Sequence, residues 1–273
     1  MTSLFDNFHL FQLNNKIMLG FDNEIRDLSG DSSGLQKGLS IFFKSNPICG
    51  EGVGFGVPIV EYPNIILFST TANLEYKNGV FVKYFSMDSF PIKTWRNRII
   101  IKNRIYHFFQ RKLAEKYKNY PRTRSLLTYL IKLQSFLGIK LSYQRIYSKG
   151  IIKVEYYLEK KKIKICVDSS GLTDKNYKRL LILNEQSSDF NLYKDKLGIL
   201  RTGDIGAWEE ISSEWASLTN EFVNLTFYMK NIAGAKLYRG WELIKPRLDW
   251  AGFCYSIPSY KESFDYVIKI EAD

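Results

Sequence analysis

The residues best equipped for chemistry fall in one short stretch, Gly203-Asp-Ile-Gly-Ala-Trp208-Glu209-Glu210-Ile-Ser-Ser-Glu214-Trp215. Residues 202–229 hold Asp204, Glu209, Glu210, Glu214 and Glu221 and no Lys or Arg. Carboxylates beside tryptophan suit sugars: one acid protonates a leaving oxygen, another attacks or activates water, and an indole stacks on a sugar face. Glu209 and Glu210 are candidate catalytic carboxylates, and Trp208 and Trp215 are candidate stacking platforms. The chemistry needs two carboxyl groups about 5–10 Å apart in space, which adjacency in sequence does not supply. The plainer reading is an acidic surface with both tryptophans packed inward.

Glu51 is a further candidate. It lies in Gly50-Glu-Gly52-Val-Gly54-Phe-Gly56-Val-Pro58, where alternate glycines strip side chains from one face of an extended segment. Such a face lets a backbone, a ring or a ligand come close. No GK[ST] follows and the chain continues as strand, so neither a P-loop nor a dinucleotide fingerprint is met.

A different chemistry is suggested by the middle of the chain. From Lys93 to Lys164 there are twenty Lys and Arg against Glu115, Glu155 and Glu159, a local +17 in a chain whose formal charge is +11. Arg96, Arg98, Lys102, Arg104, Arg111, Lys112, Arg122 and Arg124 are candidate anion contacts, interleaved with Tyr106, Tyr117, Tyr120 and Tyr129. Cations on one face release counterions from phosphates, and rings can stack on bases. A solvated helical face, or a positive surface docked on the chain's own acids, is the plainer reading. No homeodomain, zinc-finger or RNA-recognition motif accompanies the charge.

Other chemistries are excluded or unsupported. Only His9 and His107 are present, so a multi-histidine metal site is ruled out, and no metal site is expected. No G-x-S-x-G elbow occurs, and no cofactor motif is found, so no cofactor is expected. Cys49, Cys166 and Cys254 are widely spaced and read as free thiols of a reducing compartment.

The elements that must position these groups read mainly as strands. Aromatics make up 15 % of the chain, which favours sheet. Residues 53–90 read as sheet, with Asn78-Gly79 as a hairpin turn, since both residues tolerate positive φ. A second hairpin is expected over 151–168, with Ile152, Val154, Tyr156 and Leu158 on one face and Ile163, Ile165 and Val167 returning. Arg179–Asn184, Leu197–Thr202, Phe222–Lys230, Phe253–Ile257 and Phe264–Ile270 read as strands, and Asp204–Asn220 as a loop carrying a short helix. Between the hairpins the period changes. Ile105, Phe108, Phe109 and Leu113, then Leu126, Leu127, Leu130, Ile131, Leu133 and Leu137, have helical spacing, with Gly138 as a C-terminal cap.

The expected fold is therefore mainly β (α+β): one antiparallel β-sandwich-like domain over 1–273, with a basic helical pair inserted near 97–138. The start lacks a signal peptide pattern and no apolar run is long enough to span a membrane, which implies a cytoplasmic location. The leading functional expectation is a binding protein that uses 93–164 against nucleic acid, another polyanion or an acidic protein. The alternative is a carbohydrate-active or carbohydrate-binding β-sandwich using Trp and carboxylate residues of a cleft. A third is a structural or interaction protein whose basic segment meets an acidic partner or the acidic segment of a second copy.

Overall fold

The computed structural model describes residues 10–21, 35–44, 46–48, 52–95, 98–101, 133, 136–187, 189–201, 205, 208–245 and 248–272. These form three antiparallel sheets. The ten-stranded sheet runs, in spatial order, β1 (Leu10–Gln12), β2 (Ile17–Phe21), β3 (Leu39–Phe43), β5 (Gly54–Glu61), β14 (Arg179–Ser187), β21 (Leu248–Pro258), β20 (Lys236–Lys245) and β17 (Glu209–Glu210). In addition, β4 (Asn46–Pro47) pairs with β3 and β6 (Ile66–Leu67) with β5. The nine-stranded sheet runs β16 (Gly198–Arg201), β15 (Leu192–Asp195), β18 (Trp215–Asn220), β19 (Leu225–Lys230), β22 (Ser263–Ala272), β13 (Lys162–Asp168), β12 (Ile151–Glu159), β8 (Val80–Ser86) and β7 (Thr71–Lys77). The small sheet is β10 (Arg98–Ile101), β9 (Ser89–Trp95) and β11 (Ile139–Arg145).

The two large sheets pack face to face around one continuous apolar core. Period-two alternation decides which side chains enter it. Ile152, Val154 and Tyr156 of β12 and Ile163, Ile165 and Val167 of β13 are buried, while Lys153, Glu155, Lys162 and Lys164 face out. Rings from opposite sheets meet edge to face: Phe55 on Phe227 at 5.2 Å, Phe21 on Tyr156 at 5.0 Å, Tyr255 on Phe264 at 5.1 Å. Each such pair adds about 0.5–1.5 kcal/mol beyond burial.

At the centre of the core lies a polar knot. Gly56 has φ +79° and is the extra residue of a bulge, opposite the register shift at Leu183/Asn184. The bulge sends Phe55 into the core and Val57 to the opposite face, although a regular strand would place both on one side. The Gly56 N–H donates to Asn184 Oδ1 at 3.1 Å, and the Tyr266 hydroxyl donates to the same oxygen at 2.7 Å. The Tyr156 hydroxyl lies 3.2 Å from the Phe55 carbonyl and 3.3 Å from that of Gly56. A Cβ on Gly56 would lie 2.8 Å from that hydroxyl, so the glycine series serves close packing here.

Several expectations need correction. Arg98–Ile101 is strand, not helix, and Asp204–Asn220 contains two strands, β17 and β18, rather than a short helix. Phe222 to Asn224 form the turn before β19, with Asn224 at φ 49°. Most of the expected helical pair, including Lys102, Arg104, Arg111, Lys112, Arg122 and Arg124, lies outside the described residues, as do Arg96 and Glu51. At its C-terminal end the Leu137 N–H donates to the Leu133 carbonyl at 2.9 Å, and Gly138 has φ 70°. The Asn78-Gly79 turn has φ 52° and 83° as expected of that hairpin. Among the described residues no helix is long and apolar enough to cross a membrane.

Candidate functional site

The outer face of the ten-stranded sheet carries a row in which a carboxylate is flanked by missing side chains. Strand pairing places Gly54, Glu185, Gly252 and Gly240 side by side on β5, β14, β21 and β20. Directly paired residues of antiparallel strands point to the same face. The bulge at Gly56 sets this row: Asn184 faces the core, so Glu185 faces out. Glu185 is nevertheless only 2 % exposed.

The glycines are required by what lies over them. A Cβ on Gly252 would sit 2.6 Å from the Asn184 carbonyl oxygen and 2.9 Å from Glu185 Cγ, so the carboxylate stem leans across Gly252. A Cβ on Gly240 would sit 2.6 Å from Trp208 Cδ2 and 2.7 Å from Cε3. The half-buried indole is therefore laid against the bare backbone of Gly240. Glu209 pairs with Arg239 and Glu210 with Tyr238, and Trp208 continues that register opposite Gly240. Carboxylate and indole thus share one face, with Gly252 and Gly240 between their strands.

Two further groups border this face. Leu183, Val57, Val53 and Leu35 form a small apolar cluster on it, and Phe68 and Tyr143 pack against that cluster with their rings 5.6 Å apart. Tyr143 belongs to β11, so the small sheet turns one face toward the ten-stranded sheet. Tyr143 pairs with Pro91 and Leu141 with Lys93, which puts Lys93 on that same face. Burial holds the Lys93 ammonium below the usual lysine range. Cys254, paired with Leu183, is buried on the same floor.

Glu209 and Glu210, named from sequence, are not brought together. Glu209 turns inward, its carboxylate 3.5 Å from an Arg239 guanidinium nitrogen, while Asp195 lies 3.8 Å from the other terminal nitrogen. Arg239 also lies 4.3 Å over the Tyr193 ring. Glu210 turns outward, exposed, and pairs with Lys236 at 2.9 Å. Glu210 shares the outer face with Glu185, with three strand spacings of about 4.8 Å between their backbones. Trp215 lies on the outer face of the other sheet, 6.2 Å from Tyr228, so the two tryptophans occupy opposite sides of the sandwich. Among the described residues no cluster of His, Cys, Asp or Glu could hold a metal ion.

The described part of the basic segment does not form a stripe. Lys149 pairs with Asp174, Lys153 with Glu155, Lys162 with Glu159 and Lys164 with Asp265. Arg145 donates from Nε to the Thr70 hydroxyl at 3.2 Å, and Arg98 lies on β10. Apart from Lys149, which lies between β11 and β12, these cations sit on strands of two sheets, and several are matched by acids, one of them on β22.

Glu185 escaped sequence reasoning, although a signal was present. In Leu180-Leu-Ile-Leu-Asn-Glu-Gln186 an apolar run, as expected of a strand covered on both faces, ends in three polar residues. All three are buried. Polar groups in such a place need a structural or functional partner.

No protein-family model matches the chain, and no curated protein matches it. Solved structures give distant likenesses. An α-N-acetylgalactosaminidase of Bifidobacterium bifidum, bound to GalNAc, is 8 % identical with a TM-score of 0.44 over 97 % of this chain and 36 % of its own. This chain therefore spans about a third of that protein's length. A putative aldose 1-epimerase of Escherichia coli K12 is 6 % identical with a TM-score of 0.42, over 97 % of this chain and all of its own. A protein designated HI1317 is 7 % identical with a TM-score of 0.33, over 100 % of this chain and 98 % of its own. At these identities and TM-scores the likenesses assign this chain neither a family nor an activity.

Proposed function

We propose that this chain is a carbohydrate-binding β-sandwich protein whose site is the outer face of the ten-stranded sheet. The observation that carries the reading is the Trp208 indole seated on Gly240, with Glu185 beside it across Gly252. A pyranose presents an apolar C–H face and a rim of hydroxyls. An aromatic ring covers the first, and a carboxylate accepts hydrogen bonds from the second. Because Glu185 is nearly without solvent, those bonds form where screening is weak. Entry beside the half-buried indole displaces it, so Trp208 both stacks on the sugar and gates the carboxylate. The reading is of binding rather than paired-acid hydrolysis, since Glu209 is engaged by Arg239 and Glu210 by Lys236.

The test is isothermal titration of the protein with a panel of neutral mono- and disaccharides, repeated with Trp208→Ala and Glu185→Gln. A charge-assisted hydrogen bond contributes about 1.5–3 kcal/mol, so Glu185→Gln is expected to weaken binding by roughly 10- to 150-fold. Trp208→Ala is expected to lose at least as much. Full affinity in both variants would overturn the assignment, as would absence of binding across the panel.

A further inference from the structure

Trp208 is carried on a weakly paired edge. It directly precedes β17, which has two residues and, among the described residues, pairs only with β20. Glu209 pairs there with Arg239 and Glu210 with Tyr238, and the Ile211 N–H then donates to the Leu237 carbonyl at 2.8 Å. So short an edge opens readily on backbone bonds alone. Yet the indole must stay against Gly240 for the site to be formed.

One side chain holds this edge from within. Arg239 shares the inner face of β20 with its cross-strand partner Phe253, which is fully buried. Its guanidinium lies 4.3 Å over the Tyr193 ring of β15, on the opposite sheet. One terminal nitrogen reaches toward Asp195 at 3.8 Å and the other toward Glu209 at 3.5 Å. Asp195 is itself fixed. The Tyr193 hydroxyl donates to it at 2.6 Å, and the Leu197 and Gly198 N–H groups donate at 2.7 and 3.1 Å. Contacts therefore run from the nine-stranded sheet, through a planar fork, to the residue next to Trp208.

We propose that Arg239 is a positioning residue for the Trp208 platform, a role that rests on the carbohydrate reading. It ties β17 to β15 from inside the sandwich, so the backbone under the indole stays in place while the ring alone moves aside for a sugar. The outer pair contributes less. Glu210 and Lys236 are 49 % and 62 % exposed, and exposed ion pairs hold little. Glu209 and Arg239 are 29 % and 18 % exposed, where solvent screens the pair less. The fork matters as well as the charge. A guanidinium offers two terminal nitrogens in one plane and lies flat on a ring, whereas lysine offers a single ammonium.

Fluorine NMR of protein labelled with fluorotryptophan tests the proposal. The chain has five tryptophans, and the resonance lost in Trp208→Phe marks Trp208. Arg239→Lys and Glu209→Gln are each expected to shift and broaden that resonance more than any other, while Glu210→Gln leaves it in place. Ile205 and Ile211 are buried on either side of the segment, so each variant should stay folded, which circular dichroism checks. The second arm is titration with the tightest-binding member of the neutral saccharide panel. A platform seated about a tenth of the time lowers apparent affinity about tenfold, the loss expected in Arg239→Lys and Glu209→Gln. An unmoved Trp208 resonance in these two variants would overturn the proposal, as would a Glu210→Gln effect as large as that of Glu209→Gln. If the wild type binds no saccharide, the carbohydrate reading falls and this role with it. If the wild type binds and both variants bind as tightly, the positioning role alone falls.

Discussion

Replacing Gly240 by alanine probes the seat of the candidate site with a single methyl group. The added Cβ would lie 2.6, 2.7 and 3.1 Å from Cδ2, Cε3 and Cε2 of Trp208. Carbon atoms rest at about 3.5–4.0 Å, so the indole must retreat by about 1 Å. Overpacking of this size costs about 1–3 kcal/mol, and a ring that is already half-buried can meet it by lifting off the sheet. Gly240→Ala is therefore expected to destabilise by about 1–2 kcal/mol and to shift Trp208 emission to longer wavelength. The control is the same change in a Trp208→Ala background, where the clash is gone. There alanine gains the about 0.5–1 kcal/mol by which glycine is disfavoured inside a strand. Urea unfolding of the four proteins closes a double-mutant cycle, and the Gly240→Ala effect should change sign with Trp208 removed. An equal cost in both backgrounds would refute the placement of the indole on Gly240.

Asn184→Ala is expected to cost about 2–6 kcal/mol in urea unfolding, because it strips the acceptor from the Gly56 N–H and the Tyr266 hydroxyl. Two buried donors left unpaired cost about 1–3 kcal/mol each; a loss under 1 kcal/mol would contradict the polar knot. Alkaline stability should be set by tyrosine. Burial pushes the phenols of Tyr62 and Tyr228 up to about 12, aided by Asp174 and Glu271 respectively, and raises Tyr156, Tyr193, Tyr255 and Tyr266 further. Since unfolded tyrosine ionises near 10, their contribution is complete below about pH 10 and is lost as pH rises through the folded values. Ultraviolet titration should show these phenols ionising together with unfolding; their titration near pH 10 in the folded protein would contradict their burial.

Local patterns in the sequence foretold local structure. Asn78-Gly79 specified its hairpin through two residues that accept positive φ, and the alternation from Phe264 to Ile270 specified the terminal strand. Arg98-Ile-Ile-Ile was misread as helix although three β-branched residues in a row favour strand. The site was illegible for a different reason. Glu185, Gly252, Gly240 and Trp208 come from four strands or strand ends, and only long-range register puts them in one row. That register depends on a bulge at Gly56, where one inserted residue exchanges the faces of everything beyond it. Glu209 and Glu210 illustrate the converse: neighbours in sequence, they are sent by the pleat to opposite faces.

The most direct test of the central claim is a crystal structure of the protein soaked with the saccharide that binds most tightly in titration. The account predicts a sugar ring against the Trp208 indole above Gly252, with at least one hydroxyl within hydrogen-bonding distance of the Glu185 carboxylate. A ring bound instead on the outer face of the nine-stranded sheet, beside Trp215 and Tyr228, would contradict it.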